Sequence, residues 1–222
     1  MADWFRSRAW SPERRDAFFK RLNRVRKPGA QAQYVRIQAY YLFDRRSPRK
    51  LQAALELLDD LFTKYPDPAE LAAGFLLRAD CLVALGRDEE ALSAFRQAVQ
   101  TELDEPTYHC FAWLHFGWFV VERSLGDRYL EVRKLLATYR KEYGDLLIKH
   151  KYMFNAIAAL LAHDQGKRAR ARIHAARALA LAKEKHSGFA YHPTVGLVQN
   201  TKNSVHARLE KFVPKSARKK DS

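Results

Sequence analysis

The sequence predicts an all-α chain, about four helical hairpins stacked as a right-handed α-solenoid with a capping helix at each end. Three observations predict it. Only nine glycines and eight prolines punctuate the 222 residues, which suits long helices better than many short strands. Apolar residues recur at i, i+3/i+4 and i+7 in segment after segment, the stripe of a helix with one buried face. Three segments, VALGRDEEALSAF, RSLGDRYLEVRKL and HDQGKRARARIHA, place Gly86, Gly126 and Gly166 at intervals of 40 residues. Each glycine follows one apolar helical stretch and precedes another, where a tight turn calls for positive φ. A period of that size marks stacked helical hairpins.

The elements follow in order. SPERRDAFFKRLNRVRK forms a cap helix over residues 11–27, with Ser11 as N-cap, Pro12 at N1 and Phe18, Leu22 and Val25 as its buried stripe. The hairpins occupy residues 31–186. The first pairs 31–44 (Tyr34, Ile37, Gln38, Tyr41) with 49–64 (Leu51, Leu55, Leu58, Phe62), turning at Ser47-Pro48. The second pairs 69–85 with 88–100, and the third pairs 108–124 with 128–142. The fourth pairs 151–164 with 167–185, a helix that opens on the arginine-rich RARAR. Its alanines at 171, 175 and 178 form a packed seam, with Arg168 and Arg172 on one exposed face and Arg170 turned elsewhere. An irregular aromatic loop and a closing helix over 202–212 fill residues 187–213. Residues 1–213 thus read as a single domain, and 214–222 as a flexible basic tail.

Around Gly86 the small and aromatic positions make a pattern. Ala91, Phe95 and Ala98 follow the glycine at steps of five, four and three, and Phe75, Ala79 and Leu82 precede it. This unit resembles a tetratricopeptide repeat, and Gly166, Ala171, Ala175 and Ala178 resemble it more loosely. The third unit departs from the pattern at Glu131, and a unit of 40 residues is longer than the usual 34 of that family. The resemblance implies a non-catalytic scaffold whose groove takes a peptide or partner protein. The carboxylate clamp of some members is not implied, because Leu76 and Asp80 stand on the equivalent face. DWFRSRAW and SGFAYHPTVGLV are also similar to stretches of uncharacterised bacterial proteins, which implies no activity.

Charge is the strongest compositional signal. The net charge is +15, carried as +10 over residues 1–50, −6 over 51–165 and +11 over 166–222. Such ends call for an anionic partner: an acidic protein or peptide segment first, nucleic acid as the alternative. Arg14, Arg21, Arg24, Arg168, Arg172 and Lys183 are the candidate anion or phosphate contacts. The candidate groove contacts are Tyr34, Gln38 and Tyr41, with Trp113 and Trp118 from the aromatic-rich FAWLHFGWFVV. Those tryptophans read first as core, and as anchors where they face a groove.

Catalytic signatures are missing: no glycine-rich phosphate loop, no H-E-x-x-H, no G-x-S-x-G and no paired C-x-x-C. No enzyme, cofactor or metal is expected. His109 and His115 are six residues apart, about 240° around a helix, and do not converge. The loop after residue 185 offers Tyr191 and His192 as the best place for a small polar site. Cys81 and Cys110 lie in apolar helical stretches and read as reduced thiols. No apolar run reaches the roughly 20 residues of a membrane span, so a cytoplasmic protein without membrane insertion is expected.

Overall fold

The computed structural model describes residues 4–43 and 47–214. Among them all regular structure is helical: α1 (Pro12–Leu22), α2 (Pro28–Phe43), α3 (Pro48–Thr63), α4 (Pro68–Ala84), α5 (Asp88–Asp104), α6 (Ala112–Glu122), α7 (Tyr129–Thr138), α8 (Ile148–Asp164), α9 (Arg168–Leu181) and α10 (Ser204–Phe212). Two 3-10 stretches, Gly126–Arg128 and Tyr139–Asp145, flank α7. The chain divides into two compact units, Met1–Ala112 and Trp113–Ser222. The predicted basic tail lies outside the described residues, apart from Pro214.

In unit 1, α2 packs on α3, α3 on α4 and α4 on α5. Each start is written in the sequence. Ser11, Ser47 and Asp67 accept backbone N–H groups from Arg14, Lys50 and Ala69, and each is followed by proline at N1. The cap helix is shorter than expected, stopping at Leu22 with Asn23 as C-cap. The chain must leave the α region before Pro28, which opens α2 three residues ahead of the predicted start. Gln31 in turn donates to the Leu22 carbonyl freed at the end of α1. The core is built on Leu22, Leu42, Leu58 and Leu61, with Ala91, Phe95 and Ala98 also buried. Each leucine fully removed from water contributes about 1.5–3 kcal/mol.

Unit 2 packs α8 on α9, with α7 against α8 and α10 against α9 and α8. Gly86 in unit 1 and Gly166 here have φ of +73° and +71°. The residue after each sends its N–H back over six residues, from Arg87 to Leu82 and from Lys167 to Ala162. Gly126 is a correction. It opens a 3-10 turn instead, and the left-handed residue is Ser124 at +57°, with Leu125 bonded to Val120. The turn is the same motif, displaced two residues and made without glycine.

The third hairpin is also trimmed at both ends. Phe111 has φ +59°, which keeps the segment from residue 108 out of the helix until Ala112. The nearly inaccessible Glu102 carboxylate accepts the N–H groups of Phe111 at 3.2 Å and Ala112 at 2.7 Å, fixing that entry. At the far end α7 gives way at Tyr139 to the 3-10 stretch, where Tyr139 stacks on Trp113 at 4.8 Å. α9 stops at Leu181, because the following KEKH run offers no apolar residue to continue the stripe.

Candidate anion-binding groove

Unit 2 contains a groove of about 380 Å³ walled by α7, the 3-10 stretch after it, α8 and α9. α7 supplies Arg133 and Leu136, and the 3-10 stretch adds Arg140 and Tyr143. α9 supplies Arg170, His174 and Arg177. Residues three, four and seven apart share a helix face, so Arg170, His174 and Arg177 line one wall together. α8 lays the floor with Phe154, Ala158 and Leu161. The floor is apolar and the rim cationic.

One buried side chain orders the polar part. Asn155 is 1% exposed. Its Nδ2 donates to Tyr143 Oη at 2.6 Å and to the Lys151 carbonyl at 2.8 Å. A carbonyl can only accept, so the amide orientation is determined and Oδ1 faces His174. The 3.0 Å contact to His174 Nδ1 therefore carries the proton on the imidazole. Nε2 has no hydrogen-bond partner among the described residues. Burial, then Arg177, Arg170 and Arg140, pushes the His174 pKa below its ordinary value, which favours the neutral ring.

Among the described residues no carboxylate lines this groove. Four guanidinium groups thus stand over an apolar floor, each able to hold a carboxylate or phosphate by paired N–H donors. The arrangement can bind an anionic group that carries an apolar neighbour. Both cysteines lie in unit 1, away from this groove, and burial pushes the thiols of Cys81 and Cys110 up to about 12.

No family model, curated protein or solved structure matches the chain.

The residues singled out in the sequence are placed elsewhere. Arg168, Arg172 and Lys183 are exposed and do not line the groove. Arg170, which the helix geometry turns away from them, is the arginine of RARAR that does. Arg14, Arg21 and Arg24 are exposed in unit 1. Trp113 is fully buried, in keeping with its first reading as core, and its Nε1 finds no hydrogen-bond partner among the described residues. Trp118 is half-buried against Tyr152 at 5.7 Å. Gln38 is fully buried and bonds the Ser7 main chain. Tyr34 is half-buried under Trp4 and Phe5, and Tyr41 meets Tyr40 edge-on. Tyr191 is 93% exposed and His192 exposed, with the His192 carbonyl accepting from Ser187 Oγ.

Arg133, Arg140, Asn155, Arg170, His174 and Arg177 are absent from the sequence-derived set. A signal for them exists. Arginines recur seven apart at 133/140 and again at 170/177, with an apolar or small residue on the face between. Total charge hides that signal because it weights every arginine alike.

Proposed function

We propose that the protein is a non-catalytic adaptor, tetratricopeptide-like in architecture, whose unit 2 groove takes an acidic protein segment bearing an apolar side chain. The observation that carries this reading is the ring of Arg133, Arg140, Arg170 and Arg177 above Phe154 and Leu161, with no described carboxylate to neutralise it. A segment with alternating acidic and apolar residues matches both parts. Two free cysteines support a reducing compartment such as the cytoplasm.

The test is anisotropy of a labelled Glu/Leu-alternating peptide against the intact protein and two double variants. Arg170→Ala/Arg177→Ala removes groove cations; Arg168→Ala/Arg172→Ala removes the same charge outside it. Loss of one charge-assisted contact costs about 1.5 kcal/mol or more, roughly tenfold in affinity. The first pair is expected to weaken binding at least tenfold and the second less than threefold. Equal losses would refute the groove and leave net charge as the cause. The exposed Arg14, Arg21, Arg24, Arg168, Arg172 and Lys183 support a second reading, contact with nucleic-acid phosphates. That reading requires the second pair, not the first, to weaken binding to single-stranded RNA, with a steep salt dependence.

A further inference from the structure

We infer that unit 1 holds a second, separate peptide site, which the chain fills with its own residues 4–10. The ligand class is a short irregular segment led by two adjacent aromatic residues, a chemistry unlike that of the arginine groove.

Residues 4–10, WFRSRAW, contain no helix or strand. They are nevertheless read along their main chain. Gln38 Nε2 donates to the Ser7 carbonyl at 2.7 Å, and Gln38 Oε1 accepts the Ser7 N–H at 3.1 Å. Lys50 Nζ donates to the Arg8 carbonyl at 2.6 Å. These contacts hold main-chain groups of Ser7 and Arg8 in an irregular segment that turns at Trp4–Phe5 and bends at Arg8, and main-chain recognition of this kind is how peptide sites gain affinity. Selectivity comes from the rings. Phe5 stacks on Tyr34 at 4.3 Å, while Trp4 meets Tyr34 and Phe18, each at 5.3 Å.

Gln38 is the informative residue. It is fully buried on α2 among Val35, Ala39 and Leu42, themselves fully buried. A position whose only task is to pack is better served there by an apolar side chain, since a buried amide must be satisfied. Gln38 meets that requirement through the two polar groups of one peptide unit's residue, Ser7. Once residues 4–10 lift away, the amide is left facing an aromatic-lined cradle that another such segment can satisfy in the same way. An open hollow of about 160 Å³, lined by Ser7, Trp10, Phe18 and Gln38 among others, lies beside the segment. The segment is thus a resident ligand, and its release exposes the site.

The test compares the intact chain with Trp4→Ala/Phe5→Ala, which removes the aromatic anchors and leaves α1 in place. The probe is labelled WFRSRAW peptide. The double variant, with helical circular dichroism unchanged, is expected to bind the probe at least tenfold tighter than the intact chain. Adding Gln38→Leu is expected to abolish that gain. No binding to the folded double variant, or binding indifferent to Gln38→Leu, overturns the inference. So does loss of helical signal in the double variant, which would make the segment an integral part of the core. Hydrogen exchange on the unaltered protein decides independently. The Ser7 amide should exchange at least tenfold faster than the Val35–Leu42 amides, through opening of the segment alone. Equal protection would mean that the site never empties.

Discussion

Asn155 holds three partners with one side chain, and its loss should be felt in two ways. Asn155→Leu keeps the volume while leaving Tyr143 Oη and His174 Nδ1 without their mutual bridge. Both groups are half-buried, so the net worth of an ordinary hydrogen bond applies and a fall of about 0.5–1.5 kcal/mol is expected in chemical denaturation. Peptide affinity should fall as well, because the His174 ring loses its orientation. His174 itself makes binding depend on pH. Its pKa is lowered by burial first and then by Arg177, Arg170 and Arg140. A bound carboxylate opposes those cations and raises it, so binding takes up a proton. Linkage then requires affinity to rise as pH falls from 8 toward 6, while the peptide carboxylates stay ionised. The dependence should flatten in His174→Gln; titration calorimetry in two buffers of different ionisation enthalpy would read the proton uptake directly.

At the scale of elements the turns invite the clearest experiment. Ser124 occupies a left-handed conformation at φ +57° that glycine adopts without cost. Ser124→Gly is expected to stabilise the protein by about 0.5–1 kcal/mol. Gly86→Ala is expected to destabilise it by about 1–2 kcal/mol, and the cost is conformational alone, since an added Cβ at Gly86 meets nothing within 4 Å. Thermal unfolding of the two variants checks both signs. These turns also show how far the sequence could be read. Helix content and most starts were legible because Ser-Pro and Asp-Pro pairs and apolar stripes act locally. The displaced turn at Ser124 was not, because its motif is defined by φ and backbone bonds that many residues can satisfy. The late start of α6 was equally hidden, since it depends on Glu102 reaching across eight residues and more to Phe111 and Ala112. The arginine groove fell between the two cases. Its spacing is visible in the sequence, but which helix faces meet depends on packing that no single stripe reveals.

For the whole molecule, acid should be more damaging than salt. His115 and His150 are both pushed down to about 4, by burial first and Lys149 second. The unfolded chain binds protons at these sites near the ordinary histidine value while the folded chain does not. Stability is therefore full above about pH 6.5 and falls as pH drops toward 4. The two sites act on each other, so their combined effect is a few kcal/mol rather than a simple sum. Unfolding midpoints at pH 7.5 and 5 should differ by several degrees, with the difference reduced in His115→Gln. The +15 charge, by contrast, lies mostly on exposed side chains, where added salt screens both attraction and repulsion.

The segment over Gln38 has a consequence for any competitor. Trp10 is followed directly by the Ser11 cap of α1, so residues 4–10 are tethered within a few ångströms of where they dock. A short tether presents its cargo at a local concentration in the millimolar range. A free peptide making the same contacts must match that figure to occupy half the sites, and its apparent affinity is divided accordingly. Only a ligand with better contacts, or one delivered on a molecule already held elsewhere on the protein, can win at ordinary abundance. The seven residues therefore act as a threshold, ignoring brief or dilute encounters and yielding to a partner that arrives already attached.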